Sequence, residues 1–432
     1  IQVTVKNLKI EQFDRVAEVW KNASLTLENF KAVDTWQTRK CAGAALITVN
    51  DGSLTIKQSF FGASTNWKFL GAGTSIVGTG GDLTIEGSIF QDMGQASGQS
   101  REEQWAIRWD GDAGSVVNIV SSRFKESGAV FVLGESVTNI VNTLWVNNQT
   151  GQPNLTDRFR NESSGDMNVV ASTFVWNGPE CDRTCEADGY LGLFERLGVG
   201  KINIKESAFG FNFADITTGT TFLPILADRG VDGFTADQYT WIQPTPGQDV
   251  AALKLITGQD DLLTDLVPPA FNSPVLCAQL DSNCDVKIAT HASPGQLINK
   301  IPPVSAGGPQ LINPINGSVI EFDVVGNPRV NAIGERDIGA LEVGVGTPPV
   351  LSLVGTGDGS VDLSWSYAGN PNLFSLFYYI TDPTDGNSVP FVPGTDRSIT
   401  VTGLTNGTEY TFRISAFFFD LPQIESNEVK AT

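Results

Sequence analysis

The stretch "SLTIKQSFFG", residues 53–62, contains the repeating unit that decides the fold of this chain. Seven further stretches align with its octet "LTIKQSFF", which begins at Leu54. The eight octets, in chain order, are "VTVKNLKI", "LTLENFKA", "LTIKQSFF", "LTIEGSIF", "VNIVSSRF", "TNIVNTLW", "MNVVASTF" and "INIKESAF". They begin 21 to 35 residues apart, so one fixed structural unit alternates with loops of changeable length.

The octets share a pattern of period two. Positions one and three are almost always Val, Leu, Ile or Met, position two is Thr or Asn, and position eight is mostly aromatic. This alternation predicts a strand with one buried face, and the Gly or polar clusters that follow predict turns. Because no amphipathic helix lies between the octets, we expect the coils of a solenoid, each strand pairing in parallel with its equivalent in the next coil.

Stacked coils place equivalent positions in columns. Position four reads Lys6, Glu28, Lys57 and Glu86 in the first four octets, which predicts pairs of opposite charge on a solvated face. The next three octets place Val120, Val141 and Val170 in the same column. An outward apolar stripe of this kind should be covered, either by a later segment of the chain or by a partner, so these valines are a candidate interface.

Composition excludes some classes of function. The 432 residues carry a net charge of −20 and a single histidine, which argues against binding to a nucleic-acid backbone. No run of about 18 apolar residues is present, so we expect no membrane span. The chain begins "IQVTVKNLKI", without Met or a visible signal peptide. We interpret the strand-like start as a bare first coil that a preceding segment or another subunit covers.

A second motif accompanies the octets. The segment 322–343, "FDVVGNPRVNAIGERDIGALEV", combines a D-x-x-G-N-P-R stretch with a D-I-G-A-x-E stretch, and we call it the closing motif. Octets with S-x-F endings and this motif together resemble the bacterial right-handed parallel β-helix repeat proteins, which are secreted or attached to the cell surface. The resemblance implies an all-β, right-handed parallel β-helix over residues 1–343. Residues 213–314 lack the octet, and we expect irregular coils or an excursion there that packs on the solenoid and covers the valine column.

The pattern changes after a Gly- and Pro-containing linker at residues 344–350. Residues 351–432 hold alternating strands such as "SVDLSWSY" and "RSITVTGL", separated by polar turns, as in an immunoglobulin-like sandwich. The region resembles a fibronectin type III domain, with Trp365 as the core tryptophan of the second strand and Leu404 and Tyr410 in "LTNGTEYTFRISA". The resemblance implies that Tyr410 forms a tyrosine corner. Such a domain does not by itself settle a function.

Five cysteines allow disulfides or metal sites. Two local pairs, Cys181 with Cys185 and Cys277 with Cys284, are disulfide candidates, and Cys41 stands alone. The connectivity stays open, and reduced, inert thiols are the alternative. A zinc site is disfavoured by the spacing and by the isolation of His291. We expect no cofactor, and although the acidity could attract Ca²⁺, no calcium-binding motif supports a specific site.

One stretch has the residue types of an active site. "REEQWAIRWDGDAG", which begins at Arg101, contains the charged candidates Arg108, Asp110 and Asp112. Arg123 and Lys125 flank an inward Phe124 and could face the same groove. Lyases of this shape need a base beside a neutralising cation, and hydrolases need carboxylates about 5 to 9.5 Å apart. The simpler interpretation, which we favour, is a turn between coils and solvated basic residues.

The sequence therefore favours a non-enzymatic, extracellular or cell-surface protein. It would act in adhesion, or bind matrix or glycans, or serve as a subunit of an extracellular assembly. The alternative is a polysaccharide lyase or glycoside hydrolase acting on an extracellular polysaccharide. The bare first coil and the valine column add a third interpretation, in which the chain self-associates or docks onto other surface proteins.

Overall fold

The structure is a computed structural model, and it describes two regions of the chain. The described residues are 1–11, 15–33, 45–62, 75–91, 105–125, 127, 130–146, 159–175, 194–210, 226–228, 233–242, 301–324, 326–330, 335–340, 349–367, 377–381, 388–393, 397–418 and 421–432. Helical structure among these residues is limited to one 3₁₀ turn, Val304–Ala306. The described chain is therefore all-β.

The first region contains 26 short strands. In chain order they are β1 (Gln2–Lys6), β2 (Lys9–Glu11), β3 (Ala17–Val19), β4 (Ser24–Glu28), β5 (Lys31–Val33), β6 (Ile47–Asn50), β7 (Ser53–Lys57), β8 (Phe60–Gly62), β9 (Ile76–Thr79), β10 (Leu83–Glu86), β11 (Ile89–Gln91), β12 (Ile107–Gly111), β13 (Val116–Val120), β14 (Arg123–Lys125), β15 (Val130–Gly134), β16 (Val137–Val141), β17 (Leu144–Val146), β18 (Phe159–Asn161), β19 (Met167–Val170), β20 (Thr173–Val175), β21 (Phe194–Arg196), β22 (Ile202–Lys205), β23 (Ala208–Gly210), β24 (Leu226–Asp228), β25 (Phe234–Ala236) and β26 (Trp241–Ile242).

These strands form three parallel sheets that the chain visits in turn. Sheet A runs β1-β4-β7-β10-β13-β16-β19-β22-β25, sheet B runs β2-β5-β8-β11-β14-β17-β20-β23-β26, and sheet C runs from β3 to β24 in the same manner. The register follows the octet alignment, for example Leu83 with Leu54 and Glu86 with Lys57. Stacked parallel sheets visited in rotation are compatible with a parallel β-helix, and we call residues 1–242 the solenoid.

The octet is two strands rather than the single strand that its alternation predicts. Positions one to four belong to sheet A, and the last residues belong to sheet B. Between them, position five is left-handed in every octet, with φ from 46° to 58° at Asn7, Asn29, Gln58, Gly87, Ser121, Asn142, Ala171 and Glu206. Only one of the eight residues is glycine, although this conformation normally favours it. One left-handed residue turns the chain from sheet A into sheet B.

Position six explains the serine of the S-x-F endings. The Ser88 hydroxyl donates to the Glu86 carbonyl at 2.9 Å and accepts the backbone N–H of Ser59 at 3.1 Å. Ser172 repeats the arrangement with Val170 and Thr143. These serines are fully buried or nearly so. Since an unpaired buried N–H is costly, the serine column satisfies the backbone at the corner where regular pairing is interrupted.

The core lies inside the three sheets and agrees with the predicted burial. Leu54 and Ile56, at positions one and three, are fully buried. Position eight forms an aromatic stack, in which the rings of Phe90 and Phe124 lie 4.8 Å apart and nearly parallel. Stacked ring pairs continue along the axis and include Phe61–Phe90, Phe124–Trp145 and Phe174–Phe209. Each such pair adds about 0.5–1.5 kcal/mol beyond its buried area.

A ninth coil extends the eight predicted ones. Phe234, Thr235 and Ala236 pair with Ile202, Asn203 and Ile204, so this part of residues 213–314 is regular rather than irregular. The octet pattern is hidden because one extra residue lies between the two strands, as Trp241 pairs with Ala208. Thr235 nevertheless occupies position two, and this Thr was the one feature of the sequence that could have revealed the ninth coil. Most of residues 211–300 lie outside the described residues.

Residues 301–340 are called the docked segment, and the described ones among them have little regular structure and pack on the solenoid. The described parts are held to each other by isolated bridges, such as Ile312 with Val319 and Ile301 with Arg336. Asn142 on the solenoid donates to the Phe322 carbonyl at 3.1 Å, 180 residues away along the chain. The last three residues of the predicted solenoid domain, 341–343, lie outside the described residues, as do 344–348 of the linker.

The second region is a pair of antiparallel sheets. Its strands are β27 (Val350–Gly357), β28 (Ser360–Ser366), β29 (Phe377–Thr381), β30 (Ser388–Pro393), β31 (Ser398–Thr402), β32 (Tyr410–Phe418), β33 (Leu421–Glu425) and β34 (Val429–Ala431). One sheet is β27-β28-β31, and the other is β30-β29-β32-β33, with β34 also paired to β32. Trp365 is buried in the core, and the Tyr410 hydroxyl accepts the Thr405 N–H at 3.0 Å. The arrangement is compatible with an immunoglobulin-like domain.

Candidate functional site

The predicted charged cluster is split over two sheets. Arg108 and Asp110 lie on the outward face of β12 in sheet C, and Asp112 follows in the turn. Arg108 is half-buried, whereas both aspartates are exposed. Arg101 lies outside the described residues, so its place beside them stays a prediction.

Arg123 and Lys125 occupy β14 in sheet B, not the sheet of Arg108. They are only 5% and 9% exposed, so the solvated surface expected for them is wrong. Both alternate with inward Phe124 and therefore point out of the solenoid, yet both are buried. The basic pair and the carboxylates of Asp110 and Asp112 thus belong to different faces.

The structure adds a partner that the sequence did not indicate for Arg108. Its guanidinium carbon lies 5.8 Å from the ring centre of Phe131 on the next coil, and that of Arg160 lies 5.2 Å from the same ring. Two arginines therefore contact one aromatic ring on sheet C. The coil alignment of sheet C was not visible in the sequence, because its strands lie after loops of variable length.

The valine column is covered by the chain itself. Val120 and Val141 are 1% and 3% exposed, and they pack in one cluster with Leu311 and Ile320 of the docked segment. Val170 is half-buried against the same cluster. Of the two alternatives that the sequence left open, the later segment of the chain is the one observed, and these valines do not offer a free interface.

The closing motif fixes the docked segment to the eighth coil. Gly339 donates its N–H to the Glu206 carbonyl at 2.8 Å, and the next N–H, from Ala340, goes to the Thr173 hydroxyl at 2.8 Å. Gly339 has φ of 97°, and a Cβ there would lie 2.4 Å from that hydroxyl, so only glycine fits. Arg336 pairs with the Glu206 carboxylate at 2.9 Å, and both side chains are 5% exposed.

Burial dominates the electrostatics of this contact, which we call the clamp. Desolvation raises the pKa of the Glu206 carboxyl above its ordinary value, and the charge of Arg336 opposes this effect without cancelling it. Desolvation also raises the pKa of Asp237, whose carboxylate accepts the Glu206 N–H at 3.0 Å. The folded state therefore favours the protonated forms of the Glu206 and Asp237 carboxyls.

A cavity of about 440 Å³ lies between sheet A and the docked segment. Its floor includes Glu28, Lys57 and Glu86, the charged members of the position-four column. The docked segment supplies the opposite wall, which includes Asn313, Glu321, Phe322 and Asp323. The volume is within the range of sites that bind small molecules, about 300–1,000 Å³.

The cavity floor is organised by the charge pairs that the sequence predicted. Lys57 lies 3.5 Å from the Glu86 carboxylate, and Glu28 lies 2.6 Å from Lys6. The side-chain amide of Asn313, on the docked segment, donates to the Glu86 carboxylate at 3.2 Å. Four carboxylates and one ammonium group, that of Lys57, therefore line the cavity, and Lys6 pairs with Glu28 from outside the lining, so the carboxylates still exceed the lysines by two. The column, and Phe322 and Asp323 of the closing motif, were recognised in the sequence, but their meeting at one cavity was not, since the docked segment joins the column from more than 200 positions away.

The predicted disulfide sites, a metal site and a membrane span remain to be compared with the structure. Cys41, Cys181, Cys185, Cys277 and Cys284 are all outside the described residues, so the disulfide candidates stay predictions. In the described part of the chain, no group of three His, Cys, Asp or Glu residues has the arrangement of a metal site. No described helix is both long and apolar enough to span a bilayer.

Comparison with known proteins supplies no relative to add to this geometry. No protein-family model matches the chain, and no curated protein matches it at a significant level.

Proposed function

We propose that this chain is a secreted or cell-surface protein of the bacterial parallel β-helix type that binds glycans without turning them over. In this proposal the solenoid is right-handed, as crossovers between parallel strands almost always are. The C-terminal region is a fibronectin type III domain that acts as a spacer or a second binding module. Its sheet order and the hydrogen bond from Thr405 to the Tyr410 hydroxyl support that assignment.

The observation that carries the proposal is the cavity under the docked segment. It combines carboxylates, an amide and one half-buried aromatic ring, Phe322, which is the mixture that binds sugar hydroxyls and sugar faces. One wall of the cavity is sheet A, whose parallel strands are hydrogen-bonded from each coil to the next. Such a wall beneath an irregular segment suits a ligand that binds from the protein surface.

The same cavity disfavours a lyase. A polysaccharide lyase acts on uronates, and a site with four carboxylates and one lysine repels an acidic sugar. Glu28 and Glu86 are two coils apart on sheet A, and each is ion-paired with a lysine. That pairing suits charge balance and binding rather than the proton donation that a hydrolase requires.

The test is a glycan array probed with the full chain, followed by incubation of each bound glycan with the protein. We expect binding to at least one glycan class and no new reducing or unsaturated ends after prolonged incubation. Turnover that Arg108→Ala abolishes would establish the lyase instead. Absence of binding to every glycan and matrix preparation would overturn the proposal.

A further inference from the structure

The cavity between the docked segment and sheet A also indicates which sugars fit. It has acidic groups on both walls. Glu28 and Glu86 line the side of sheet A, and Glu321 and Asp323 line the docked segment. Asp323 is already engaged, since both of its carboxylate oxygens accept hydrogen bonds from Asn327. Glu321 is exposed on the wall that faces sheet A, so its carboxylate is available to a ligand.

The neutral groups of the cavity suit a hydroxyl-rich ligand. Ser121 and Gln58, both half-buried, lie at the left-handed corner, and Ser318 and Asn313 lie on the opposite wall. Amides and hydroxyls donate and accept, so they complement hydroxyl groups of either orientation. Phe322 is half-buried and supplies an apolar surface beside them.

We propose that this cavity binds an amino sugar whose free ammonium group lies among the Glu28, Glu86 and Glu321 carboxylates. This inference rests on the proposed glycan binding and specifies its ligand class. The ammonium group gains from the excess of carboxylates, whereas an N-acetylated sugar lacks the charge and a uronate is repelled. Asn313 already donates one amide N–H to Glu86, and the Ser318 hydroxyl donates to Asn316, so the second N–H of Asn313 and the accepting side of Ser318 then bind the sugar hydroxyls.

The experiment is isothermal titration of the full chain with three tetrasaccharides: deacetylated glucosamine, N-acetylglucosamine and galacturonate. The buffer is mildly acidic, so that the amines carry protons. We expect the glucosamine tetramer to bind about tenfold tighter than the acetylated one, and the galacturonate tetramer not to bind. Tetralysine is the probe for simple attraction to an acidic protein.

Three variants locate the binding. Glu321→Gln should weaken the glucosamine tetramer about tenfold, and it leaves the fold intact because the side chain is exposed. Glu135→Gln makes the same charge change at an exposed turn away from the cavity and should leave the affinity unchanged. Lys57→Gln removes the one cation of the cavity and should keep or raise the affinity.

The outcomes separate this inference from the proposed function. Binding of the glucosamine tetramer that Glu321→Gln does not weaken, or that tetralysine equals, would overturn the inference while glycan binding at another surface stands. Tighter binding of the acetylated or the acidic tetramer would overturn it as well. If no glycan binds at all, the proposed function fails first.

Discussion

The two halves of the position-four column occupy the same face of sheet A and have different surroundings. In the valine half, Val120, Val141 and Val170 pack against the apolar residues Leu311 and Ile320. In the charged half, Glu28, Lys57 and Glu86 lie beside a cavity of about 440 Å³ under the same docked segment. The segment makes close contact where the column is apolar and leaves space where it is charged.

The difference shows how a repeat acquires a site without losing its fold. The inward positions of the octets are apolar in both halves except at the buried Thr138, so the two halves share one continuous core. The outward position-four column changes from charged to apolar, and its chemistry decides whether the covering segment seals the surface. The repeat supplies the scaffold, and a change in one column places the cavity.

The largest effect is expected at the clamp, which anchors the segment beyond the valine half. Arg336→Met leaves the buried Glu206 carboxylate without its ion pair, which should cost about 3–5 kcal/mol in the free energy of opening the docked segment. Hydrogen exchange of residues 301–340 measures this cost. The double variant Arg336→Met with Glu206→Gln should recover part of it, and equal losses in the two variants would contradict the ion-pair account.

The next largest effect is expected in the valine half of the column, compared with an exposed valine on the same strand. Val141→Ala removes buried methyl groups that contact the docked segment and should lower the free energy of unfolding by about 2 kcal/mol. Val137→Ala is the matched control, since Val137 lies on the same strand and is 37% exposed. Denaturant melts measure both, and equal losses would show that the docked segment adds nothing to Val141.

The pH dependence of the clamp has a definite sign. Because burial raises the pKa of Glu206 in the folded chain, folding favours its protonated form, and stability is lost as pH rises through that pKa. The contribution is fully present below the ordinary pKa of a glutamate, and Asp237 acts in the same direction. Protection of the docked segment should therefore increase from neutral to mildly acidic pH. Glu206→Gln should flatten this profile, and an unchanged profile would exclude Glu206 as its source.

The smallest effect is expected in the charged half. Lys57→Met removes a partly exposed ion pair with Glu86, which should cost no more than about 0.2–1 kcal/mol. The difference in melting temperature from the wild type should shrink in high salt. A loss as large as that of Val141→Ala would mean that the two halves are equally packed.

The fold could be predicted from the octets because their information is local. Apolar residues at positions one and three of each octet define the inward face, and their spacing aligned sheet A register for register with the structure. The corner at position five was missed, because Gln58 and Ala171 carry no sign of a left-handed conformation. The serine at position six was visible in the pattern, but its role depends on a partner in the neighbouring coil.

Only one wall of the cavity, the charged column of sheet A, could be predicted from the sequence. The charge column was visible in the sequence, and its ion pairs are confirmed. The opposite wall was not, because Asn313 reaches Glu86 across 227 positions, and no repeat or spacing links the two. The valine column did predict that something must cover it, which is the part of the contact that hydrophobicity determines. Which segment docks depends on shape and on the clamp.

The valine half and the clamp hold the docked segment on the solenoid, where it forms one wall of the cavity. Hydrogen exchange of the full chain can follow this contact at two amides: that of Gly339, which donates to Glu206 on the solenoid, and that of Ile320, which donates to Leu311 within the docked segment. We predict that both exchange slowly in the wild type and rapidly in Arg336→Met, while strand β16 of the solenoid keeps its protection. Rapid exchange of both amides in the wild type would contradict the account, since the segment would then not form a wall at all.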